Sequence, residues 1–432
     1  MTILPDESDE IRPAEAPVDT SAPETPKLKS AGLRPLLVGM TLTNFLLCVL
    51  WAAIVVTLLA VQVQKIDPTG YVASLGTILG IGAIGSMISG PIMGAVSDRV
   101  RSRLGARVPV MLAGAVITVV LSILMGTASS IGALVVYWFL MQFVTVGFIS
   151  TTMYANLPDR VPVARRGVFS SSLGVAALVG AAAGQALGSA FATAIFGGYL
   201  VIGIGVLVGV IVLALVGSKS NIGRPSVPLD VKALLRTFWV SPRKHPDFAW
   251  TFAARFMLYS GYFLVSHYTL YTLQDYVGLG TDGAVQVVPI VGVATLVGVL
   301  VSTPVAGFLV DRFGRTKPIL ITVATVLAVG SLVPLVAPTV GGLIAYAAVS
   351  GFGFGAYLSV DYVLITQVLP SSSDAAKDLG IINITATLPQ TVAAGGAGLI
   401  ITLSQGYAAL FPIAAVLAML GGLLLLPVRG VR

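Results

Sequence analysis

The distribution of charged residues constrains this chain more than any other feature. Long stretches contain no Asp, Glu, Lys or Arg, and they lie between Arg34 and Lys65, Asp67 and Asp98, Arg107 and Asp159, Arg166 and Lys219, Arg255 and Asp275, Asp282 and Asp311, Lys317 and Asp361, and Asp378 and Arg429. A helix needs about 20 apolar residues to cross a hydrocarbon layer of about 30 Å, so the shorter stretches suit one crossing and the longer ones suit two. Only 10% of the 432 residues are charged, whereas a soluble domain has roughly 25%. The sequence therefore predicts an all-α polytopic membrane protein.

Helices fit these stretches better than strands do, because the strands of a membrane barrel would alternate apolar and polar side chains. A large soluble helical core would need a polar face on most helices, and the sequence offers none. We predict twelve transmembrane helices, near residues 36–62, 72–96, 108–127, 131–156, 167–193, 197–217, 248–274, 284–310, 318–337, 341–368, 379–403 and 407–427.

One long polar segment in the middle of the chain separates six predicted helices from the next six. The expected parts are a disordered cytoplasmic tail, an N-terminal six-helix bundle, a cytoplasmic central loop, a C-terminal six-helix bundle and a cytoplasmic C-terminus, at residues 1–34, 35–217, 218–247, 248–428 and 429–432. Nearly all of the 25 basic residues then lie on the side of both termini, and Lys65 lies opposite. By the positive-inside rule we expect both termini on the cytoplasmic side of a plasma or inner membrane. The net charge of +7 reflects this topology, so the expected partner is the lipid bilayer and not nucleic acid.

A short pattern of glycine, acidic and basic residues recurs after the second and the eighth predicted helix. The first copy contains Gly94, Asp98, Arg99, Arg103, Gly105 and Arg107, and the second contains Gly307, Asp311, Arg312, Gly314 and Arg315. A Leu-Pro pair also recurs at nearly the same spacing, at Leu157-Pro158 and Leu369-Pro370. Repeats at matching distances predict two related six-helix halves, as in transporters built from internal repeats.

These residues resemble the signature of the major facilitator superfamily, and the longer first copy resembles its glycoside–pentoside–hexuronide and sucrose–proton symporter branch. Segments 157–167, 271–276 and 375–383 point the same way, whereas Ala106 and Gln367 depart from the pattern of the branch. The resemblance implies two pseudo-symmetric bundles, with helices one, four, seven and ten around a central cavity. It also implies transport by alternating access.

The two aspartates of the repeat suggest a cytoplasmic gate. Asp98 and Asp311 end helices two and eight, and each could cap the positive N-terminus of a helix in the opposite half. The resemblance implies helix eleven, near Leu379, and helix five, near Gly167, as the partners. The simpler alternative is that these charged residues lie in cytoplasmic loops and have no gating role.

Three ionisable residues lie inside predicted spans, at Arg255, His267 and Asp361. A buried charge in a membrane is normally paired or faces a wet cavity. Arg255 and Asp361 both lie seven residues from the cytoplasmic ends of their helices, so they are expected at the same depth and could pair. The pair is either a static bridge or a proton-responsive one, with Asp361 as the coupling group. His267 is expected to be a hydrogen-bonded structural residue near the outer end of helix seven.

Polar and aromatic residues on the cavity helices complete the candidate binding site. Tyr259 and Tyr262 share a helical face with Arg255, and Tyr357 shares one with Asp361. Aromatic faces with a few hydrogen-bonding groups suit a sugar. Further candidates are Asn44, Trp51, Tyr154, Asn156 and Gln390. Tyr268 and Tyr276 are interpreted instead as anchors at the membrane interface.

No motif for an enzyme, a metal or a cofactor is present, so we expect no catalytic residue, no metal and no cofactor. The leading hypothesis is a secondary transporter, a symporter that couples protons to a sugar or glycoside. The alternatives are an efflux carrier for amphipathic drug-like compounds, an uncoupled facilitator, and, in a different class, a membrane sensor or scaffold that transports nothing.

Overall fold

The computed structural model describes residues 30–97, 99–100, 102, 107–216, 246–313, 316–368 and 375–428, and within these ranges every regular element is a helix. In the first half, α1 is Ser30–Ala53 continued by the π-helical Ile54–Leu58 and by Leu59–Ile66, α2 is Tyr71–Ser97, α3 is Val108–Gly126, α4 is Ile131–Phe143 continued by the π-helical Val144–Thr151 and by Thr152–Tyr154, α5 is Val163–Ala190 and α6 is Ile195–Val216. A single turn, Asn156–Arg160, connects α4 to α5.

In the second half, α7 is Pro246–Ser266 continued by Thr269–Tyr271 and the π-helical Thr272–Tyr276, α8 is Gly280–Phe313, α9 is Thr316–Val336, α10 is Val340–Val368, α11 is Ala375–Ser404 and α12 is Leu410–Leu423. The predicted all-α twelve-helix architecture is confirmed. By length and composition alone, nine helices of the described chain could cross a membrane, namely α1 to α6 and α8 to α10. The other three helices are shorter or less apolar. Helix α12 has 14 residues, α7 carries the charged residues Asp247 and Arg255, and the apolar part of α11 is limited to Leu388–Ser404.

The two halves repeat the same packing. In the first, α1 packs on α5 and α6, α2 on α4, and α3 on α6; in the second, α7 packs on α11 and α12, α8 on α10, and α9 on α12. Between the halves the main contacts are α2 with α11 and α5 with α8, and these two pairs correspond to each other under the repeat. The fold therefore has the twofold relation that the recurring motif predicted.

Small residues bring some of these helices into close contact. Gly180, Gly184 and Gly188 on α5 face backbone oxygens of α1, and a Cβ atom added to any of them would lie within 2.8 Å of such an oxygen. Helices in lipid gain no hydrophobic energy from touching, so close backbone approach at glycines supplies the packing energy.

Candidate functional site

A cavity of about 460 Å³ lies between the two halves. Its walls come from α1, α2, α4 and α5 on one side and from α7, α8, α10 and α11 on the other. A volume of this size is typical of sites for small organic ligands. The position between the repeats is the one expected for a transported solute.

The wall from the first half is organised by Trp51 of α1. Its indole Nε1 donates a hydrogen bond to Thr145 Oγ1 at 3.1 Å, and Thr145 in turn donates to the carbonyl of Met141. Thr145 lies in the π-helical segment of α4, where the widened turn displaces the helix surface. The aromatic face of Trp51 is thereby held in the cavity wall.

Two more lining residues of α4, Trp138 and Gln142, have polar atoms without a protein hydrogen bond. Trp138 Nε1 and Gln142 Oε1 are buried, and no donor or acceptor of the described chain pairs with them. Unpaired buried polar atoms are costly, and Trp138 Nε1 packs against Gly82 of α2.

The wall from the second half contains a break in α7. The helix stops at Ser266 and resumes at Thr269, and the hydroxyls of both residues bond backbone carbonyls, Ser266 to Tyr262 and Thr269 to Ser266. Such bonds compete with the helical ladder and favour a bend. His267 therefore lines the cavity, with its ring stacked on Phe263 at 5.3 Å between centroids.

The described lining contains no Asp, Glu, Lys or Arg side chain. Its polar members are serines, threonines and the longer side chains Gln142, Gln185, Gln390 and His267. Aromatic rings from Trp51, Trp138, Tyr262, Phe263 and Tyr346 cover much of the remainder. The cavity therefore offers neutral hydrogen-bonding groups beside aromatic faces.

Tyrosines join the two halves at the end of the helices that carries Lys65, called here the Lys65 end. Tyr71 Oη of α2 donates to Asp275 Oδ2 at 2.7 Å, and Tyr407 Oη donates to the same oxygen at 2.5 Å. Tyr271 Oη of α7 donates to the Ala60 carbonyl of α1 at 2.8 Å. The bonds of Tyr71 and Tyr271 each connect one half to the other. The cavity is thus closed at this end.

Tyr268 belongs to the same closure, and its interpretation as an interfacial anchor is wrong. Its side chain is fully buried, and its hydroxyl donates to the carbonyls of Val72 at 3.3 Å and Ala394 at 3.2 Å, one in each half. Tyr276 is partly exposed and donates to the carbonyl of Pro334. The signal for this closure was the segment 271–276, which sequence analysis used only for the resemblance.

The family model of the Major Facilitator Superfamily matches residues 36–305 and 290–431. The chain belongs to this superfamily. It is therefore a multi-pass membrane protein of the transporter superfamily. The two matches together cover both halves.

Two relatives match shorter parts of the chain at low identity. The MFS-type transporter opdF of Penicillium oxalicum is 28% identical over 168 residues, which is 38% of this chain. The MFS transporter asaE of Aspergillus flavus is 32% identical over 133 residues, which is 30% of this chain. The chain spans only 37% and 28% of the lengths of these two relatives.

Solved structures agree over nearly the whole fold. The nucleoside transporter NupG, in a point-mutant form, superimposes with a TM-score of 0.70 at 14% identity and covers 90% of this chain and 98% of its own. A D-xylose–proton symporter gives 0.68 at 17% identity, covering 93% and 98%. A bacterial homologue of the human lysosomal transporter Spinster, inward-facing and unoccupied, gives 0.63 at 17%, covering 93% and 99%. Identities this low establish the shared fold and nothing finer.

Of the ten candidate site residues, Trp51, Tyr262 and Gln390 line the cavity of this superfamily member. Residues that sequence reasoning did not propose for the site also line it, chiefly Trp138, Gln142, Gln185 and His267. His267 had been assigned a structural role. Trp138 and Gln142 lie four residues apart on one face of α4, a spacing that could have indicated them, whereas Gln185 shares its face of α5 with Ala177 and Ala181.

Three further candidates form a separate buried cluster in the second half. Arg255 Nη2 donates to Tyr259 Oη at 3.4 Å, with the guanidinium 5.1 Å from the centre of the Tyr259 ring. Tyr259 meets the ring of Tyr357 edge to face at 5.7 Å. Phe354 contacts Tyr259 at 5.3 Å and stacks on Tyr262 at 4.0 Å, so it links the cluster to the cavity. The Asp361 side chain lies outside the described residues, and its pairing with Arg255 stays a prediction.

The remaining candidates hold the first half together. Asn44 Nδ2 donates to the Leu173 carbonyl of α5 at 2.8 Å, and Asn44 Oδ1 accepts from Tyr154 Oη at 3.0 Å. Asn156 Nδ2 donates to the carbonyls of Thr152 and Met153 one turn earlier. None of Asn44, Tyr154 and Asn156 is among the residues that line the cavity.

The first copy of the gate motif forms an ion pair within its own half. Arg107 Nε and Nη2 both approach Asp159 Oδ2, at 2.9 and 2.6 Å, and Nη1 reaches Ser97 Oγ at 3.4 Å. Arg107 thus joins the end of α2 to the turn after α4. Arg99 Nη1 donates to the Ala95 carbonyl at 2.5 Å.

The first glycine of each motif copy lies at a helix contact, Gly94 where α2 meets α4 and Gly307 where α8 meets α10. A Cβ on Gly94 would lie 3.8 Å from Thr151 of α4, and one on Gly307 would lie 3.6 Å from Ser359 of α10. Arg312 is exposed at the end of α8. Other members lie outside the described residues, namely Asp98, Arg103, Gly105, Gly314, Arg315 and the side chain of Asp311. The proposed capping of the opposite half therefore stays a prediction.

Proposed function

We propose that this transporter carries a neutral, polyhydroxylated solute, a sugar or glycoside, across a plasma or inner membrane. The observation that supports the proposal is the cavity wall, which combines uncharged hydrogen-bonding side chains with aromatic faces. Sugar hydroxyls need several such partners, while the C–H faces of the ring stack on aromatic side chains. Solved neighbours of the same fold include a D-xylose–proton symporter and a nucleoside transporter, whose named solutes both carry hydroxyl groups.

The proposed cycle is alternating access. With both termini in the cytoplasm, as the basic loops favour, the Lys65 end faces the outside and the tyrosine contacts hold it shut. Opening that end requires the loss of the Tyr71–Asp275 and Tyr271–Ala60 hydrogen bonds. The motif residues at the opposite end would then form the second gate.

Cys48 provides a direct test of solute binding, because it is the only cysteine and lines the cavity. Purified protein is labelled with a fluorescent maleimide in the presence of sugars, glycosides, nucleosides or amphipathic cationic drugs. A bound solute is expected to slow labelling of Cys48. As a control, Ser129→Cys in a Cys48→Ala background places the thiol in the exposed loop between α3 and α4, where cavity occupancy has no effect.

The same experiment separates the rival functions. The efflux alternative is favoured by the large apolar share of the wall, and protection by amphipathic drugs with no protection by any polyol would replace the sugar proposal. Uptake of the protective solute into proteoliposomes then distinguishes a transporter from a sensor or scaffold. A protein that binds the solute but never moves it would support the latter class.

We further propose that Asp361 is the proton-coupling group, with Arg255 as its partner. The support is the position of Arg255, which is only 5% exposed and is connected to the cavity through Tyr259, Phe354 and Tyr262. A carboxylate that releases Arg255 on protonation would change this aromatic contact and shift the conformational balance.

Asp361→Asn is expected to abolish solute accumulation driven by a pH gradient and to keep solute exchange at equal pH. If the pair is instead a static bridge, both activities fall together, because a buried arginine loses its counter-charge. Full pH-driven accumulation in the variant would end the coupling proposal.

A further inference from the structure

A second, smaller cavity of about 350 Å³ lies on the flank of the second half, away from the central one. It exists because α8 and α9 both pack along α10 but make little contact with each other. The floor is formed by α10, where Gly353 and Ala356 present little side chain. A Cβ on Gly353 would lie 2.5 Å from Leu327 of α9, so α9 packs closely on α10 at this point. The result is a groove between α8 and α9.

The lining of this groove is almost entirely hydrocarbon. Ser302 and Thr322 are its only members with a polar side chain within the described residues, and Ser302 is fully buried with its hydroxyl on the Val299 carbonyl. The rim is exposed, with Val305 at 43% and Phe313 at 64%. Surrounding lipid therefore reaches the groove, and an unfilled void would forfeit the dispersion contacts of its walls.

Positive charge lies at one end of the groove, where α8 passes into α9. Arg312 ends α8 next to Phe313 and is exposed. Lys317, one residue before the groove residue Pro318, donates to the carbonyl of Val428 beyond the end of α12 and adds positive charge to the same end of the bundle. The segment 311–317 contains three basic residues and one acidic residue. Basic groups at the membrane end of an apolar groove favour an anionic lipid headgroup.

We propose that the groove of α8, α9 and α10 binds one acyl chain of an anionic phospholipid, whose phosphate lies near Arg312. The lipid comes from the leaflet on the side of the chain termini. This site is separate from the solute cavity and does not depend on which solute is carried, although Arg312 also belongs to the motif proposed above as the second gate. Since α8 also contacts α5 across the halves, lipid in the groove bears on a helix that must move during transport.

Brominated lipids and an added tryptophan test the site. The Phe313→Trp variant places the fluorophore in the groove, and Phe308→Trp is the matched control, since Phe308 lies on the same helix near the same membrane surface, is 67% exposed and does not line the groove. Each variant is reconstituted in vesicles of phosphatidylcholine with phosphatidylglycerol, only one of which is brominated. The signal of the four native tryptophans is subtracted with wild-type protein.

Quenching of Phe313→Trp is expected to show about a fivefold preference for phosphatidylglycerol, and Arg312→Gln in the same background should remove most of it. Phe308→Trp should show equal quenching by both lipids. Equal quenching at both positions would mean an ordinary lipid annulus and would overturn the proposal, as would the same preference at Phe308. Native mass spectrometry gives a second readout: wild-type protein should retain more phosphatidylglycerol than Arg312→Gln, and equal retention would contradict the site.

Discussion

The helices α4 and α10 occupy corresponding places in the two halves but are built differently. In the first half, α4 contains a π-helical segment, Val144–Thr151, and a buried hydrogen bond joins Thr145 to Trp51. In the second half, α10 is continuous from Val340 to Val368. Its Gly351 and Gly355 lie against α8, where an added Cβ would come within 2.4 Å of another atom. The repeat thus preserves which helices pack together and not how they are held.

This difference has a consequence for the cavity. The first half fixes its wall through hydrogen bonds of buried polar side chains, which hold one geometry because their loss leaves unpaired groups. Glycine contacts occur in both halves, since Gly85 of α2 lies against α4 as Gly355 of α10 lies against α8. The wall from the second half adds the stacked rings of Tyr262 and Phe354, which do not prevent helices from sliding. We infer that conformational change during transport falls mainly on α7, α8 and α10.

The largest expected effect comes from the glycines at which α10 contacts α8. Gly355→Ala places a Cβ 2.6 Å from the Val299 Cα and 2.8 Å from its carbonyl oxygen, both backbone atoms. Overpacking of this kind costs about 3 kcal/mol. The apparent melting temperature in detergent should fall by roughly 5 °C or more.

Gly147→Ala is the matched variant in α4. A Cβ there would lie 2.8 Å from Met93 Cγ, on a flexible side chain that can move, and 3.0 Å from the Ser89 carbonyl oxygen. The backbone contact is longer than those of Gly355, so the expected loss is smaller, about 1 kcal/mol. Gly174→Ala on α5, which meets no atom within 4 Å, should be neutral or slightly stabilising. A greater loss at Gly147 than at Gly355 would reverse the comparison.

The intermediate effect concerns hydrogen bonds in the first half. Tyr199 is fully buried, and its hydroxyl donates to Gln62 Oε1 at 2.9 Å, while Gln62 Nε2 donates to the Met125 carbonyl at 2.7 Å. Tyr199→Phe leaves the Gln62 oxygen without its donor, at a cost of about 1.5 kcal/mol.

Tyr276→Phe is the counterpart in the second half, because its hydroxyl donates to Pro334 at 2.9 Å in a partly exposed position. Water can replace that bond, so the expected loss is below about 0.5 kcal/mol. Thermal unfolding of both variants under one condition is the measurement. Equal losses would show that the first half does not depend more strongly on its buried bonds.

The helix positions were predictable because each depends on a local feature, the run of uncharged residues between loops. The break in α7 was not, since Ser266 and Thr269 bond backbone carbonyls only in the folded helix. The spacing of apolar residues in the sequence does not reveal such side-chain bonds to the backbone.

The candidate site was predictable in part for a similar reason. Helical spacing places Arg255, Tyr259 and Tyr262 along one side of α7. Because the three residues lie at different heights along the helix, they have different neighbours, and only Tyr262 reaches the cavity. Asn44 and Asn156 are polar residues in spans whose amides bond backbone carbonyls, and sequence alone does not separate that role from solute binding. The lining by Trp138 and Gln185 depends on contacts between distant segments.

The smallest expected effect tests the closure at the Lys65 end, where the two halves again contribute differently. The second half supplies the carboxylate of Asp275 and the hydroxyl of Tyr407, and the first supplies Tyr71. Asp275 is exposed, so its bonds are screened, and Asp275→Leu should shift the equilibrium toward opening by only about fivefold. Labelling of Cys48 by an impermeant thiol reagent added at the Lys65 side measures that shift.

Asp67 is the matched carboxylate, because it lies at the same end and all its bonds stay in the first half. It accepts from the backbone of Gly70 at 2.9 Å and from Ser74 Oγ at 2.7 Å, and these bonds lower its pKa below the usual 3.8. A lowered pKa stabilises the folded loop above pH 3.8, and that contribution is lost as the pH falls through the folded value. Asp67→Asn should therefore reduce stability slightly at neutral pH and leave Cys48 labelling unchanged. Equal labelling increases in both variants would mean that loop order at this end, and not the bond between Tyr71 and Asp275, keeps the halves together.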